Sequence, residues 1–72
     1  MDTAIQKQLA KKIKDLRKAT GMTQEKLAEI SGIDYKHIQL LESKNPPAAK
    51  LDTLEKIAKA FKIVPSDLLK FK

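Results

Sequence analysis

The strongest constraint on the fold of this chain is a break between two short apolar-periodic segments at Ser31-Gly32. Before the break, QEKLAEIS places its apolar residues at helical spacing, and YKHIQLLES repeats that spacing with Ile38 and Leu41. Gly32 permits a turn conformation that is strained for other residues, and Asp34 suits the N-cap of the second segment. The sequence therefore predicts a helix of about Gln24 to Ser31 and a helix of roughly Tyr35 to Ser43, meeting steeply across a tight turn.

Three further helices are predicted around this pair. Helix one runs from about Thr3 to Ala19, and Gly21 and Thr23 then suit a left-handed cap and the N-cap of helix two. The prolines of SKNPPAAK predict a loop, helix four follows from about Leu51 to Phe61, and Pro65 suits the start of a short helix five. The residues expected to face the core are Ile5, Leu9, Ile13, Leu16, Leu27, Ala28, Ile30, Ile38, Leu41, Leu51, Leu54, Ile57, Ala58, Phe61, Leu68 and Leu69.

Length and cysteine content favour the same architecture. With 72 residues and no cysteine, the chain lies near the lower limit at which one core folds without disulfides or metal. Local helical contacts are the easiest solution for such a chain. We therefore expect an all-α fold, a compact bundle of five short helices forming one domain over residues 1–72. The lone His37 cannot assemble a metal site, and no cofactor is implied.

Net charge narrows the classes of partner. At +6 with a pI near 9.7, the chain is expected to meet a polyanion such as nucleic acid, an anionic membrane surface or an acidic protein. No apolar run approaches the roughly 20 residues that span a bilayer, and MDTAIQKQLAKK lacks the apolar stretch of a secretory signal. A cytoplasmic protein is expected. An enzyme is not expected, because no phosphate loop or nucleophile-base pair is visible.

The segment QEKLAEISGIDYKHIQLLES resembles the helix-turn-helix of the phage-repressor-like (Cro/C1, or XRE) transcriptional regulators. The flanks IKDLRKATGMTQ and LDTLEKIAKAFKIVPSDLL resemble the family too, so the likeness covers about residues 9–69. It implies a lambda-repressor-like DNA-binding fold, with the helix-turn-helix at about residues 24–43 and its second helix in the DNA major groove. The matched positions are Gln24, Ala28, Gly32, Ile38, Leu41 and Glu42.

Three positions depart from the family pattern. Ser43-Lys44-Asn45 stands where a glycine is common, and Lys50 replaces the usual Ser or Thr cap of helix four. Leu40 occupies a position where several relatives carry a polar base-contacting residue. It can pack against helix four or contact a thymine methyl group, and packing is expected.

The resemblance implies roles for individual side chains. Gln24 would contact a phosphate and brace the recognition helix, or be only an exposed helix-opening residue. The outward face of helix three would read base edges, or be merely solvated. His37 would touch a phosphate or face solvent. Arg17 and Glu42 are expected to form an ion pair between helices one and three. The expected DNA-binding residues are Thr23, Gln24, Tyr35, Lys36, His37, Gln39, Lys44, Asn45 and Lys50.

These features together predict sequence-specific binding of double-stranded DNA by a small repressor or autoregulator in a prokaryotic or phage cytoplasm, associated with the nucleoid. A homodimer on an inverted repeat would place two recognition helices about 34–36 Å apart. Prophage repressor, restriction-modification controller and antitoxin-like regulator stay open. One alternative is a protein-interaction module on the same fold that binds a toxin or a transcription component. Another is a peripheral membrane binder using helix one.

Overall fold

The computed structural model describes residues 4–71, and helices are the only regular structure in this part of the chain. The five helices are α1 (Ala4–Ala19), α2 (Gln24–Ser31), α3 (Tyr35–Leu41), α4 (Leu51–Ala60) and α5 (Pro65–Leu68). The predicted all-α fold of five short helices is therefore confirmed. The predicted first residue of helix one, Thr3, lies outside the described residues.

Capping residues define most of the helix ends. Gly21 takes a left-handed φ of 73° after α1, and the Thr23 hydroxyl accepts a hydrogen bond of 3.0 Å from the Lys26 N–H at the start of α2. Asp34 stands at the N-cap of α3, but its side chain makes no capping hydrogen bond. Helix three ends at Leu41 rather than Ser43, because the Ser43 N–H turns back onto the Leu40 carbonyl in a tighter turn.

Each helix contributes one fully buried side chain to a common core. Ile13, Leu27, Ile38, Ile57 and Leu68 come from α1 to α5 in order, and none of them has exposed surface. Leu54, Ala58 and Phe61 join this core, with Phe61 at the C-cap of α4 rather than within the helix. Most of the predicted apolar stripes thus face inward. Since the five helices share one core, the orientation of α3 depends on all of them.

Four of the predicted core residues are instead exposed. Ile5 is 62% exposed, Ile30 47%, Leu51 83% and Leu69 46%. Ile5 and Leu51 stand in the first turns of α1 and α4, Ile30 in the last turn of α2, and Leu69 just after α5. Each stripe therefore continues beyond the point at which a neighbouring helix covers it. The turn residue Ile33, which the periodicity did not indicate, is buried in the core.

Gly32 begins the turn between α2 and α3 with a left-handed φ of 76°, and a Cβ added there would meet open space. Gly32→Ala is therefore expected to destabilise the fold by about 1–2 kcal/mol through backbone strain alone. Urea unfolding followed by far-UV circular dichroism measures this loss. Gly32→Asn should lose less, because asparagine adopts the left-handed conformation more readily. Equal losses for the two variants would contradict the strain account.

Candidate nucleic-acid interface

The turn between α2 and α3 comprises residues 32–34 and is hydrogen-bonded to the last turn of α2. The Gly32 N–H donates to the Ala28 carbonyl over 2.9 Å, and the Ile33 N–H donates to the Ser31 hydroxyl over 3.2 Å. The Ile33 side chain fills the space under the turn as part of the core. Because Leu27 and Ile38 are also fully buried on either side of it, α3 is held rigidly against α2.

The opposite side of α3 carries polar side chains into solvent. Tyr35 is 40% exposed, and Lys36 and Gln39 are also exposed, whereas His37 is half-buried at the edge of this face. Lysine can donate to guanine and glutamine can pair with adenine in the major groove. The fold therefore presents two side chains suited to base readout on one rigid, exposed helix face.

Leu40 departs from its predicted environment. Its side chain was expected to pack against helix four, but Leu40 is 51% exposed. Helical geometry explains the difference, since Ile38 and Leu41 already form the buried side of this short helix and Leu40 lies well away from them. Leu40 is thus part of the outward face of α3 in the free protein.

A buried hydrogen-bonded network anchors the end of α3. Arg17 Nε lies 2.8 Å from Glu42 Oε2, and Arg17 Nη2 lies 3.0 Å from Glu42 Oε1. Gln24 Nε2 donates to Glu42 Oε1 over 3.1 Å, and Arg17 Nη1 donates to the Met22 carbonyl over 2.8 Å. The Glu42 side chain is only 1% exposed. One carboxylate therefore joins α1, the start of α2 and the end of α3.

The Arg17–Glu42 pair also affects the charge of the surface around α3. Glu42 is the only acidic side chain in residues 35–50, and its charge is compensated internally by Arg17. Lys36, Lys44 and Lys50 in the same stretch are exposed. Residues 35–50 therefore contribute net positive charge to the surface formed by α3 and the following loop, with the exposed Asp34 and Asp52 lying just outside this stretch.

The remaining predicted DNA-binding residues lie around α3. Thr23 is exposed, and its hydroxyl already accepts from the Lys26 N–H at the N-cap of α2. Gln24 is half-buried against Glu42, which agrees with a bracing position. Asn45 is exposed in the loop, and Lys50 stands at the N-cap of α4 with its side chain free of any capping hydrogen bond.

A groove between α1 and the loop after α3 brings further lysines beside this surface. It has a volume of about 260 Å³ and is lined by Lys7, Lys11, Lys14 and Lys44 together with Glu42. A run of charges on a helix is usually no more than a solvated face, so the sequence alone gives these lysines of α1 no specific position. The Arg17–Glu42 pair could have indicated their position, because it joins α1 to the end of α3 and Lys14 lies one turn before Arg17 on α1.

The burial of the helix-one stripe bears on the peripheral-membrane alternative. Among residues 4–71, no helix has the length and apolar character needed to cross a bilayer. The peripheral alternative required the helix-one stripe to face lipid, but Leu9 and Ile13 are buried in the core. The same described residues contain no cluster of three or more His, Cys, Asp or Glu side chains placed to hold a metal ion.

Comparisons with solved structures and with a protein-family model show which family this chain belongs to. A comparison with curated proteins found no match. The restriction-modification controller protein C.AhdI from Aeromonas hydrophila is 30% identical, with a TM-score of 0.81 over 88% of this chain and 94% of that one. C.Esp1396I, solved bound to a 19 base pair DNA duplex, is 28% identical, with a TM-score of 0.83 over 93% and 88%.

A transcriptional regulator of the HTH_3 family from Vibrio cholerae is 25% identical with a TM-score of 0.85, over 94% of this chain but 38% of that longer one. The family model for the Cro/C1-type HTH DNA-binding domain matches residues 6–72, nearly the whole sequence. That match agrees with the helix-turn-helix geometry of α2 and α3 and with the exposed polar face of α3. The chain therefore belongs to the Cro/C1-type helix-turn-helix DNA-binding family, a class of transcription regulators and not of enzymes.

Proposed function

We propose that this chain represses transcription by binding, as a homodimer, to an inverted repeat in double-stranded DNA. The observation that carries the proposal is the exposed face of α3, where Lys36 and Gln39 stand opposite the buried Ile38 and Leu41. A rigid helix with one buried side and one polar side can enter the major groove without disturbing the core. The proposal covers the chain as one helix-turn-helix domain over residues 1–72.

Contacts to base edges and contacts to the sugar-phosphate backbone are assigned to different side chains. Gln39 reads an adenine edge, Lys36 reads a guanine edge, and Tyr35 contacts a base or a phosphate. Contacts to the sugar-phosphate backbone fix the register of α3 on the duplex. Those backbone contacts are assigned to Thr23, Gln24, His37, Lys44, Asn45 and Lys50. Thr23, Lys44, Asn45 and Lys50 are supported by their exposure around α3. Gln24 and His37 are half-buried beside it, and Gln24 also donates a hydrogen bond that braces the end of that helix.

The dimensions of the molecule favour two copies on one site. The seven residues of α3 span about 10 Å, which covers only about three base pairs. The molecule measures 31 Å along its longest axis, close to the roughly 34 Å of one turn of B-DNA. Two copies side by side can therefore place two α3 helices in successive major grooves. The 19 base pair duplex bound by C.Esp1396I is about 65 Å long, which is enough for two molecules of this size side by side.

Among the possible regulators of this kind, we favour a controller that acts on its own promoter or on adjacent genes. Its support is the likeness to two restriction-modification controller proteins over most of both chains. A dimer that covers a promoter blocks polymerase access, so repression follows from occupancy alone. Transcription in vitro from the promoter upstream of the coding sequence should fall as the protein is added. Unchanged or increased transcription would contradict repression and leave DNA binding intact.

Selection of bound sequences from random duplex DNA, repeated at two salt concentrations, tests the proposed function. The expected product is an inverted repeat whose half-site centres lie about 10 base pairs apart. This preference should persist at the higher salt concentration, because base contacts depend less on counterion release than phosphate contacts do. A salt-sensitive pool without sequence preference would overturn the proposal.

The lysines after α3 are predicted to act on every DNA sequence equally. Lys50→Ala or Lys44→Ala should weaken binding to specific and unrelated duplexes alike. Each change should lower the slope of log affinity against log salt by about one unit per lost phosphate contact, or about two in a dimer. Lys59→Ala is the matched control for Lys50→Ala, because it removes the same charge from the opposite end of α4. Lys59 lies in the last turn of that helix, and Lys50 lies immediately before its first turn. An equal change in slope for Lys59→Ala would contradict the assignment.

A further inference from the structure

Leu40 lies on the same face of α3 as the two polar side chains assigned to base readout. At about 100° of rotation per residue, Lys36 points about 170° away from the mean direction of the buried Ile38 and Leu41. Gln39 and Leu40 each point about 130° away, on opposite sides of Lys36. Leu40 is therefore as well placed to reach a base edge as Gln39 is. Its 51% exposure agrees with this position.

The other exposed large aliphatic side chains have a simpler explanation. Ile5, Ile30, Leu51 and Leu69 stand in end turns of their helices or just beyond them, where the neighbouring helices no longer cover them. Scattered exposed aliphatic residues of this kind are normal on a protein surface. Leu40 differs because it stands beside Lys36 and Gln39, on a surface that loses its water when α3 enters a groove.

The chemistry of the major groove limits what an aliphatic side chain can recognise there. Base edges in that groove present hydrogen-bond donors and acceptors, and the C5-methyl group of thymine is the apolar feature. A leucine offers neither donor nor acceptor, so burial against a donor or acceptor would leave that polar group unsatisfied. Burial against a methyl group removes apolar surface from water on both partners.

We propose that Leu40 is a specificity-determining residue that contacts a thymine methyl group in each half-site. This inference rests on the proposed function and adds one base preference to it. The thymine lies within the roughly three base pairs that α3 spans, close to the base pairs read by Lys36 and Gln39. Leu40 disfavours cytosine at that position, because cytosine carries no methyl group and presents a donor there.

Replacement of single thymines by deoxyuridine tests this contact, because uracil differs from thymine only by the missing methyl group. The probe is the preferred duplex from the random-sequence selection, with each thymine replaced in turn. For the wild-type protein, one thymine per half-site should give about a four-fold loss of affinity, the equivalent of one buried methyl-sized group. For Leu40→Ala, the uracil and thymine duplexes should bind equally at that position.

Two further variants make the result specific to Leu40. Ile30→Ala removes an aliphatic side chain of similar exposure from α2 and should keep the wild-type ratio of thymine to uracil affinity. Leu40→Met retains an apolar end and should keep part of the ratio. A uracil scan without effect in the wild type, or a ratio that survives in Leu40→Ala, would overturn the assignment. A selection that yields no preferred duplex would overturn the proposed function itself, so the two failures are distinguishable.

Discussion

Glu42→Ala is expected to lower the free energy of unfolding by about 3–5 kcal/mol, the usual consequence of removing one partner of a buried ion pair. The change leaves the Arg17 side chain, which is 12% exposed, with a buried charge and no carboxylate. It also removes the acceptor of the Gln24 amide. Since domains of this length are stable by only about 4–11 kcal/mol, the variant should be partly unfolded at modest urea concentrations. Urea denaturation followed by far-UV circular dichroism measures the loss.

An exposed ion pair in the same protein provides the matched control. Lys11 and Asp15 lie 2.9 Å apart on α1 with side chains 77% and 58% exposed. Lys11→Ala should therefore cost about 0.5 kcal/mol or less. A double-mutant cycle on Arg17 and Glu42 should show strong coupling, and replacing both with apolar residues should recover much of the stability. If Glu42→Ala is no more destabilising than Lys11→Ala, the network does not anchor α3.

Gln39→Ala is expected to weaken binding to the preferred duplex by about 1–3 kcal/mol per half-site, or about 5- to 150-fold. The reason is the loss of a glutamine that can donate to and accept from one base. Because a dimer loses the contact twice, the total reduction should be about double in free energy. Fluorescence anisotropy with a labelled duplex at fixed salt measures the dissociation constant. Gln39 is exposed, so the free energy of unfolding should change little. A loss of affinity would then come from a lost DNA contact and not from unfolding.

Lys36→Ala should show a loss on the preferred duplex in the same range, with an additional general loss on all DNA. The general part arises because a cation near phosphates contributes to binding whatever the sequence. It should therefore shrink as the salt concentration is raised, while the loss due to base reading persists. Loss of affinity that disappears entirely at higher salt would assign Lys36 to the phosphate contacts instead.

Local chemistry was sufficient to predict the helix-turn-helix. Thr23, Gly32 and the prolines after α3 act on the backbone within a few residues, so their effects can be read from short windows of sequence. The predicted helix three was too long by two residues, because the Ser43 N–H and hydroxyl both donate to the Leu40 carbonyl and end the helix in a tighter turn. Elements were therefore predicted better than their ends.

Contacts between helices were harder to predict. Periodicity shows that Leu51 or Ile30 shares a helix face with core residues, but not where a neighbouring helix stops covering that face. The Arg17–Glu42 pair and the bracing position of Gln24 were expected only from the family resemblance, and the hydrogen bond from Gln24 to Glu42 became visible only in the fold. The groove that Lys7 and Lys14 line beside Lys44 also became visible only in the fold, because it depends on how α1 packs against the loop after α3.

The central claim, that the outward face of α3 reads DNA sequence, is tested most directly by the ratio of specific to nonspecific affinity at one salt concentration. We predict that Gln39→Ala lowers this ratio by about 5- to 150-fold per half-site, because an uncharged side chain contributes little to nonspecific binding. Lys44→Ala is predicted to leave the ratio unchanged while weakening both affinities. A ratio that stays at the wild-type value in both Gln39→Ala and Lys36→Ala would contradict the claim. The exposed face of α3 would then be better explained as a docking surface for another protein.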